Sequence, residues 1–155
     1  MRGKRARKRS IAADPIYKSR LVTRLVNVVM LNGKKSLAEK AVYGAIDKLA
    51  EDKKEGVRIF EEAIKNVMPK QEVRSRRVGG ATYQVPTPLK HDRSEALAVR
   101  WIVQAARNKK GKPMVDRLYE VLKNAHDKTG DAIKKKEDTH RMAEANRAFA
   151  HFGRY

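Results

Sequence analysis

Apolar residues recur at helical spacing through most of the chain. Leu21, Val22, Leu25, Val26 and Val29 form the first run, entered at Ser19 and stopped at Asn32-Gly33. Ala38, Ala41, Val42, Ala45, Ile46 and Leu49 form the second, which Ser36-Leu37-Ala38-Glu39 opens with a capping-box pattern. The third carries Phe60, Ile64, Val67 and Met68, and Pro69 ends it because the residue before a proline is pushed out of the α region. Asp92 and Glu95 repeat the capping pattern before a fourth helix with Leu97, Trp101, Ile102 and Ala105, where Trp101 is expected in the core ahead of a base-stacking role. Pro113 suits the first turn of a fifth, with Val115, Leu118, Leu122 and Ala125 as its buried stripe. After Thr129-Gly130-Asp131 a sixth is expected to bury Met142, Ala145 and Phe149 and to expose Lys134, Lys135, Lys136, Arg141 and Arg147.

One stretch departs from this period. Glu72–Pro86 reads as two short β-branched and polar runs around Gly79-Gly80, a pair that tolerates the positive φ angles of a two-residue hairpin turn. The turn sets Val78 opposite Ala81, Arg77 opposite Thr82, Arg76 opposite Tyr83 and Arg74 opposite Val85. Arg74, Arg76, Val78, Ala81, Tyr83 and Val85 then share a face. Pro86 and Pro88 are expected to break the chain after it. With Tyr83 beside arginines and little protein expected against it, the ribbon reads as a finger for a polyanion. Tyr83 either stacks on a base or packs across the hairpin. The arrangement is mainly α: a single helical domain of about six helices with one protruding antiparallel β-hairpin. Residues 1–14 form a basic extension, 15–155 the helical domain, and 72–86 the inserted hairpin.

Charge turns this arrangement toward a partner. The 155 residues hold 37 Lys+Arg against 18 Asp+Glu, a formal +19, with 41% hydrophobic residues to supply a core. Self-repulsion of that size points to nucleic acid ahead of an anionic membrane surface. Arg2, Lys4, Arg5, Arg7, Lys8 and Arg9 make an N-terminal block with no acid, of the kind that orders on nucleic acid; a localisation signal or a solvated tail is the plainer alternative. Further basic sites are the Lys34-Lys35 turn, the hairpin arginines Arg74, Arg76 and Arg77, and the loop with Lys109, Lys110 and Lys112. Arg93, Arg100 and Arg107 recur every seven residues on one helical face, and Lys134, Lys135 and Lys136 stand on the last helix. Spread over a tail, loops, a ribbon and several helices, these residues suit a folded RNA better than the major groove of duplex DNA.

Catalytic chemistry finds little support. His91, His126, His140 and His151 are scattered, and His140 with Glu144 is the one helical pair that could share a metal. There is no cysteine, no phosphate-binding glycine loop and no nucleophile elbow. No catalytic residue, metal or cofactor is expected. No apolar run approaches a transmembrane length, and no h-region follows the basic N-terminus, so a soluble intracellular protein is expected. An architectural DNA-binding protein using the ribbon as an arm, and an RNA-processing enzyme built on His140 or Glu144, are the competing readings.

Three segments resemble one family. V-R-S-R-R-V-G-G-A-T-Y-Q-V-P at Val73–Pro86, A-L-A-V-R-W at Ala96–Trp101 and K-K-K-E-D-T-H-R-M-A-E-A-N-R-A-F-A-H at Lys134–His151 are similar to small-subunit ribosomal protein seven of bacterial type. The ending Phe152-Gly153-Arg154-Tyr155 resembles forms of the family with a short C-terminus. The resemblance implies a cytoplasmic ribosomal protein of the small-subunit head that binds the 3′ major domain of rRNA early and nucleates its folding. It places the protein near the mRNA exit path and the exit-site tRNA, beside small-subunit ribosomal protein eleven. By position, the basic tail, the Lys34-Lys35 turn, the ribbon arginines and the later basic faces would meet rRNA. Gly79, Gly80, Ala81, Thr82 and Tyr83, with Arg141, Arg147 and His151, would approach exit-site tRNA.

Overall fold

The computed structural model describes Gly3, Ala6 and residues 9–154, with side chains described as far as Phe152. The chain runs through α1 (Arg20–Val29), α2 (Lys35–Asp47), α3 (Lys53–Val67), β1 (Gln71–Val78), β2 (Ala81–Pro88), α4 (His91–Asn108), α5 (Met114–His126) and α6 (Gly130–Ala145). A 3₁₀ helix, Arg147–Arg154, follows. The mainly α arrangement with one antiparallel hairpin is the one the periodicity predicts. Each amphipathic helix buries its apolar stripe in a single core, with α5 at its centre touching α2, α3, α4 and α6. Phe60, Leu25, Ile46, Ile64, Ile102, Leu118 and Leu122 are the largest fully buried side chains. Gly44 lets α2 approach α5, since a Cβ there would come within 3.2 Å of Val115 Cγ1.

Several local expectations give way to tertiary context. The helix starts are not the capping motifs they resemble. Lys34, not Ser36, precedes α2, and no side chain caps it; Glu39 turns back to Lys35, 3.6 Å away. Ser19 does precede α1, but its hydroxyl donates to Glu61 Oε1 at 2.9 Å instead of capping. Lys90 precedes α4, so Asp92 falls inside the first turn and Glu95 is buried for another purpose. Leu97 and Val115 are only half-buried, while Ala98, Val99, Val103 and Val121 face the core. Trp101 is half-buried and packs against it. Met142 and Ala145 are exposed rather than packed, and Arg147 lies beyond α6 in the 3₁₀ helix.

The hairpin has the predicted register in full, and it is longer than predicted. β2 continues through Pro86 and Pro88, which pair with Val73 and Gln71. Leu89 donates its N–H to the Lys70 carbonyl at 3.0 Å. Because hydrogen-bonded positions alternate in an antiparallel pair, Pro86 and Pro88 fall where the missing N–H would point away from β1. A two-stranded ribbon has only edge strands, so neither proline costs a ladder bond. Gly79 and Gly80, at φ +57° and +91°, make the turn.

The face carrying Tyr83 and Val85 does not stand free. Val85 is fully buried, and the 3₁₀ helix lies against β2. Tyr83 sits with its ring centroid 5.3 Å from Phe149 and 4.9 Å from Phe152. Arg76 Nη1 donates to the Phe152 carbonyl at 3.3 Å. The expectation of little protein against Tyr83 is therefore overturned: the chain's end folds back to supply it, a contact across 66 residues that no local pattern announces.

Candidate nucleic-acid interface

The hairpin base, α1, the start of α4 and the chain entering α1 surround a cleft of about 870 Å3. Arg9, Arg20, Arg24, Arg74, Lys90 and Arg93 line it, with Asp92 as the acid on its wall. Two nearly buried carboxylates organise the arginines. Glu95, 3% exposed, meets Arg24 at Oε1, and Arg20 at 3.4 Å and His91 at 3.5 Å at Oε2. Glu72, 8% exposed, takes Arg74 on Oε1 at 2.6 Å and Arg93 on Oε2 at 3.3 Å. Arg24 also donates to the Asp92 carbonyl at 3.3 Å. A guanidinium held along one edge by a carboxylate keeps its remaining donors and its planar faces in a fixed orientation. The positive charge of this cleft is thus both in excess and pre-aimed, which suits phosphate.

The entry to α1 is fixed with similar care. Asp14 is buried, accepts the N–H groups of Ile16 and Tyr17 at 3.0 Å each, and accepts the Tyr43 hydroxyl at 2.7 Å. Burial, followed by the hydroxyl's hydrogen bond to a carboxylate (Tyr17 to Asp47 at 2.7 Å, Tyr43 to Asp14), pushes both tyrosine hydroxyls well above their ordinary range. The turn at Asp14-Pro15 thereby fixes the chain as it enters α1, just after Arg9, Ser10 and Ile11 line the cleft.

The predicted basic residues divide sharply by what holds them. Arg2, Lys4, Arg5, Arg7 and Lys8 lie outside the described residues. Arg9, Arg74 and Arg93 meet in the cleft. Arg107 donates to the carbonyls of Val28 and Val29 at 3.2 and 3.3 Å, closing the C-terminus of α1. Lys136, expected on the exposed side, is half-buried and donates to the Asn66 carbonyl at 2.6 Å at the end of α3. Arg100, on the same helical face as Arg93 and Arg107, makes no hydrogen bond or ion pair among the described residues. Lys109 and Lys112 share Glu120, whose carboxyl their hydrogen bonds hold down at about 2; the same contact raises Lys112. Lys34, Lys110, Lys134 and Lys135 are exposed and their side chains likewise lack such partners among the described residues, as does that of Arg77 on the outer face of the ribbon.

The second predicted group does not form one cluster by itself. Gly79, Gly80, Ala81 and Thr82 are exposed at the ribbon tip. Arg141 pairs with Asp138 at 3.7 Å and Arg147 with Glu144 at 3.5 Å. His151 lies against Phe152, 4.0 Å between ring centroids, so the 3₁₀ helix brings it toward Tyr83. His140 is engaged by the fold: its Nε2 accepts the Lys70 N–H at 3.0 Å, and burial followed by the charges of Lys136 and Lys70 lowers its pKa. That nitrogen is therefore occupied as an acceptor. Among the described residues no three His, Cys, Asp or Glu side chains gather to hold a metal ion, and no helix is long and apolar enough to cross a membrane.

Sequence reasoning missed Arg20, Arg24 and Lys90 as members of the cleft. Arg20 and Arg24, four apart beside the apolar stripe of α1, carried a usable signal: both fall on one flank of the helix, with Glu95 the acid that shows their destination only in three dimensions.

The family model for ribosomal protein S7p/S5e matches residues 1–147. Small ribosomal subunit protein uS7 of Fervidobacterium nodosum is 58% identical over 153 residues, covering 98% of this chain and 99% of that protein. The protein of the same name from Thermotoga maritima is 57% identical, and that from Nautilia profundicola 56% identical, both with the same coverage. The chain belongs to the ribosomal protein S7p/S5e family.

Proposed function

We propose that this protein binds small-subunit rRNA through the arginine cleft and the basic elements around it, and thereby organises the RNA. Family membership makes it a structural constituent of the small ribosomal subunit. The observation that carries the RNA reading is the convergence of Arg20, Arg24, Arg74 and Arg93 on one cleft through Glu72 and Glu95. Four chain segments meet there, so an RNA seated in it would be gripped by groups whose relative positions the helical core sets.

In this reading the RNA is the 3′ major domain, and the protein acts early, pinning several rRNA helices so that the subunit head folds around it. The N-terminal block, Lys34, Lys35, Arg76, Arg77, Arg100 and the Lys109–Lys112 loop extend the contact outward from the cleft. The ribbon tip at Gly79–Thr82, with the 3₁₀ helix and Arg141, faces exit-site tRNA close to the mRNA exit path and to small-subunit protein eleven. The small side chains of the tip suit a close backbone approach. The working compartment is the cytoplasmic ribosome.

The test is a salt titration of rRNA-fragment binding, with duplex DNA of equal length as the competitor. Neutralising about eight phosphates gives a slope of log affinity against log salt of about −5 to −7. A shallow slope, or tighter binding to the duplex DNA, would overturn the proposal.

A further inference from the structure

A second, narrower groove of about 190 Å3 lies between α4 and α6, apart from the residues that line the cleft. Trp101 walls it; Gln104 and Asn108 line it from α4, and Asp131 and Lys135 from α6. Trp101 is partly buried and packs against the core, and it also lines the groove. The carboxamides of Gln104 and Asn108 are exposed and make no hydrogen bond among the described residues. A carboxamide offers both a donor and an acceptor, the pattern that reads base edges.

Building on the RNA reading above, we propose that this groove is a subsite for one unpaired nucleobase, stacked on Trp101 and read at its edge by Gln104, Asn108 and Asp131. Its volume falls below the roughly 300–1,000 Å3 of small-molecule pockets and suits a single planar ring. Asp131 argues against a bare phosphate in the groove. Its carboxylate instead accepts from an exocyclic amino group, which adenine, cytosine and guanine carry and uracil lacks. Lys135 on the rim, and Arg100 one turn before Gln104 on α4, supply charge for the flanking phosphates. Without acidic partners, these two cations favour a nucleotide over an acid-poor protein surface.

Trp101 is the only tryptophan in the chain, so its emission reports this groove directly. The full-length protein is titrated with an rRNA fragment, and separately with oligo(A) and oligo(U), while retention on a filter scores binding independently. Stacking quenches the emission, and oligo(A) binds more tightly than oligo(U). Gln104→Ala with Asn108→Ala, both on the surface, weakens oligo(A) binding about tenfold with unchanged circular dichroism, and Asp131→Asn narrows the preference for oligo(A). Retention of rRNA with unaltered Trp101 emission would overturn the subsite and leave the RNA reading standing; failure to retain rRNA at all would overturn both. An emission change caused by subunit proteins and not by RNA would make the groove a protein contact and also overturn the proposal.

Discussion

Arg24 and Lys110 carry the same charge, yet the fold treats them differently. Arg24 lies in the cleft, bonded to Glu95 and to the Asp92 carbonyl, with its neighbour Arg20 on the same carboxylate. Lys110 stands exposed in the loop before α5, with no partner among the described residues. An immobilised side chain costs about 0.5–1.5 kcal/mol when it is ordered on binding. For Arg24 that ordering is complete once the protein has folded; for Lys110 it remains to be met when RNA arrives. Lys109 and Lys112 fall between, ordered by Glu120 but partly neutralised by it. A basic chain therefore presents two kinds of positive charge, and only one kind is aimed.

The sharpest way to break this comparison removes two charges from each region. Arg24→Ala with Arg93→Ala is expected to weaken rRNA binding at least about a hundredfold, from two charge-assisted contacts of roughly 1.5–3 kcal/mol each. Lys110→Ala with Lys134→Ala removes the same charge and is expected to cost only a few-fold, as exposed pairs do. Both variants lower the salt slope by about 2. Equal losses of affinity, measured by filter retention at one salt concentration, would show that charge number alone matters.

Glu95→Gln separates charge from organisation in the other direction. It makes the protein more basic, so a purely electrostatic account expects tighter binding. Replacing the shared carboxylate of Arg20, Arg24 and His91 by an amide with one acceptor oxygen is instead expected to weaken rRNA binding about tenfold and to lower stability by about 2 kcal/mol. Chemical denaturation and a binding isotherm on the same preparation decide the matter, and tighter binding would sink the organising role of Glu95.

The smallest effect is expected where the ribbon meets the chain's end. Phe149→Ala with Phe152→Ala removes the rings packed on Tyr83, each aromatic contact worth about 0.5–1.5 kcal/mol beyond its buried area. Amide exchange across 76–83 should quicken while rRNA affinity changes less than twofold. Unaltered exchange would mean that strand pairing and α6 hold the ribbon unaided.

Much of this molecule was legible from spacing. The stripes of α1, α2 and α3 and the register around Gly79-Gly80 follow from periods of 3.6 and 2 with a turn between them. The caps were less legible, because Ser36, Asp92 and Glu95 have the right chemistry for a capping box but lie inside their helices once packing sets the starts. Pro86 and Pro88 misled for a related reason: proline breaks a ladder only where its N–H is needed, and in a lone ribbon every second position has no such need. Of the interface, the basic elements could be named, but their sorting into anchored and free could not.

By itself, then, the sequence determined the helical stripes, the hairpin and its register, and a charge that demands a polyanion. All of these depend on neighbours within a few residues or on composition. Tertiary structure alone decided which cations converge, because Arg20 and Arg24 find Glu95 across 75 and 71 residues. It also decided that Lys136 and Arg107 close the ends of α3 and α1, and that Phe149 and Phe152 cover Tyr83. The physical reason is common to all three: a charge, a donor or a ring is free or committed according to what the core brings beside it, and that neighbour is remote in the chain.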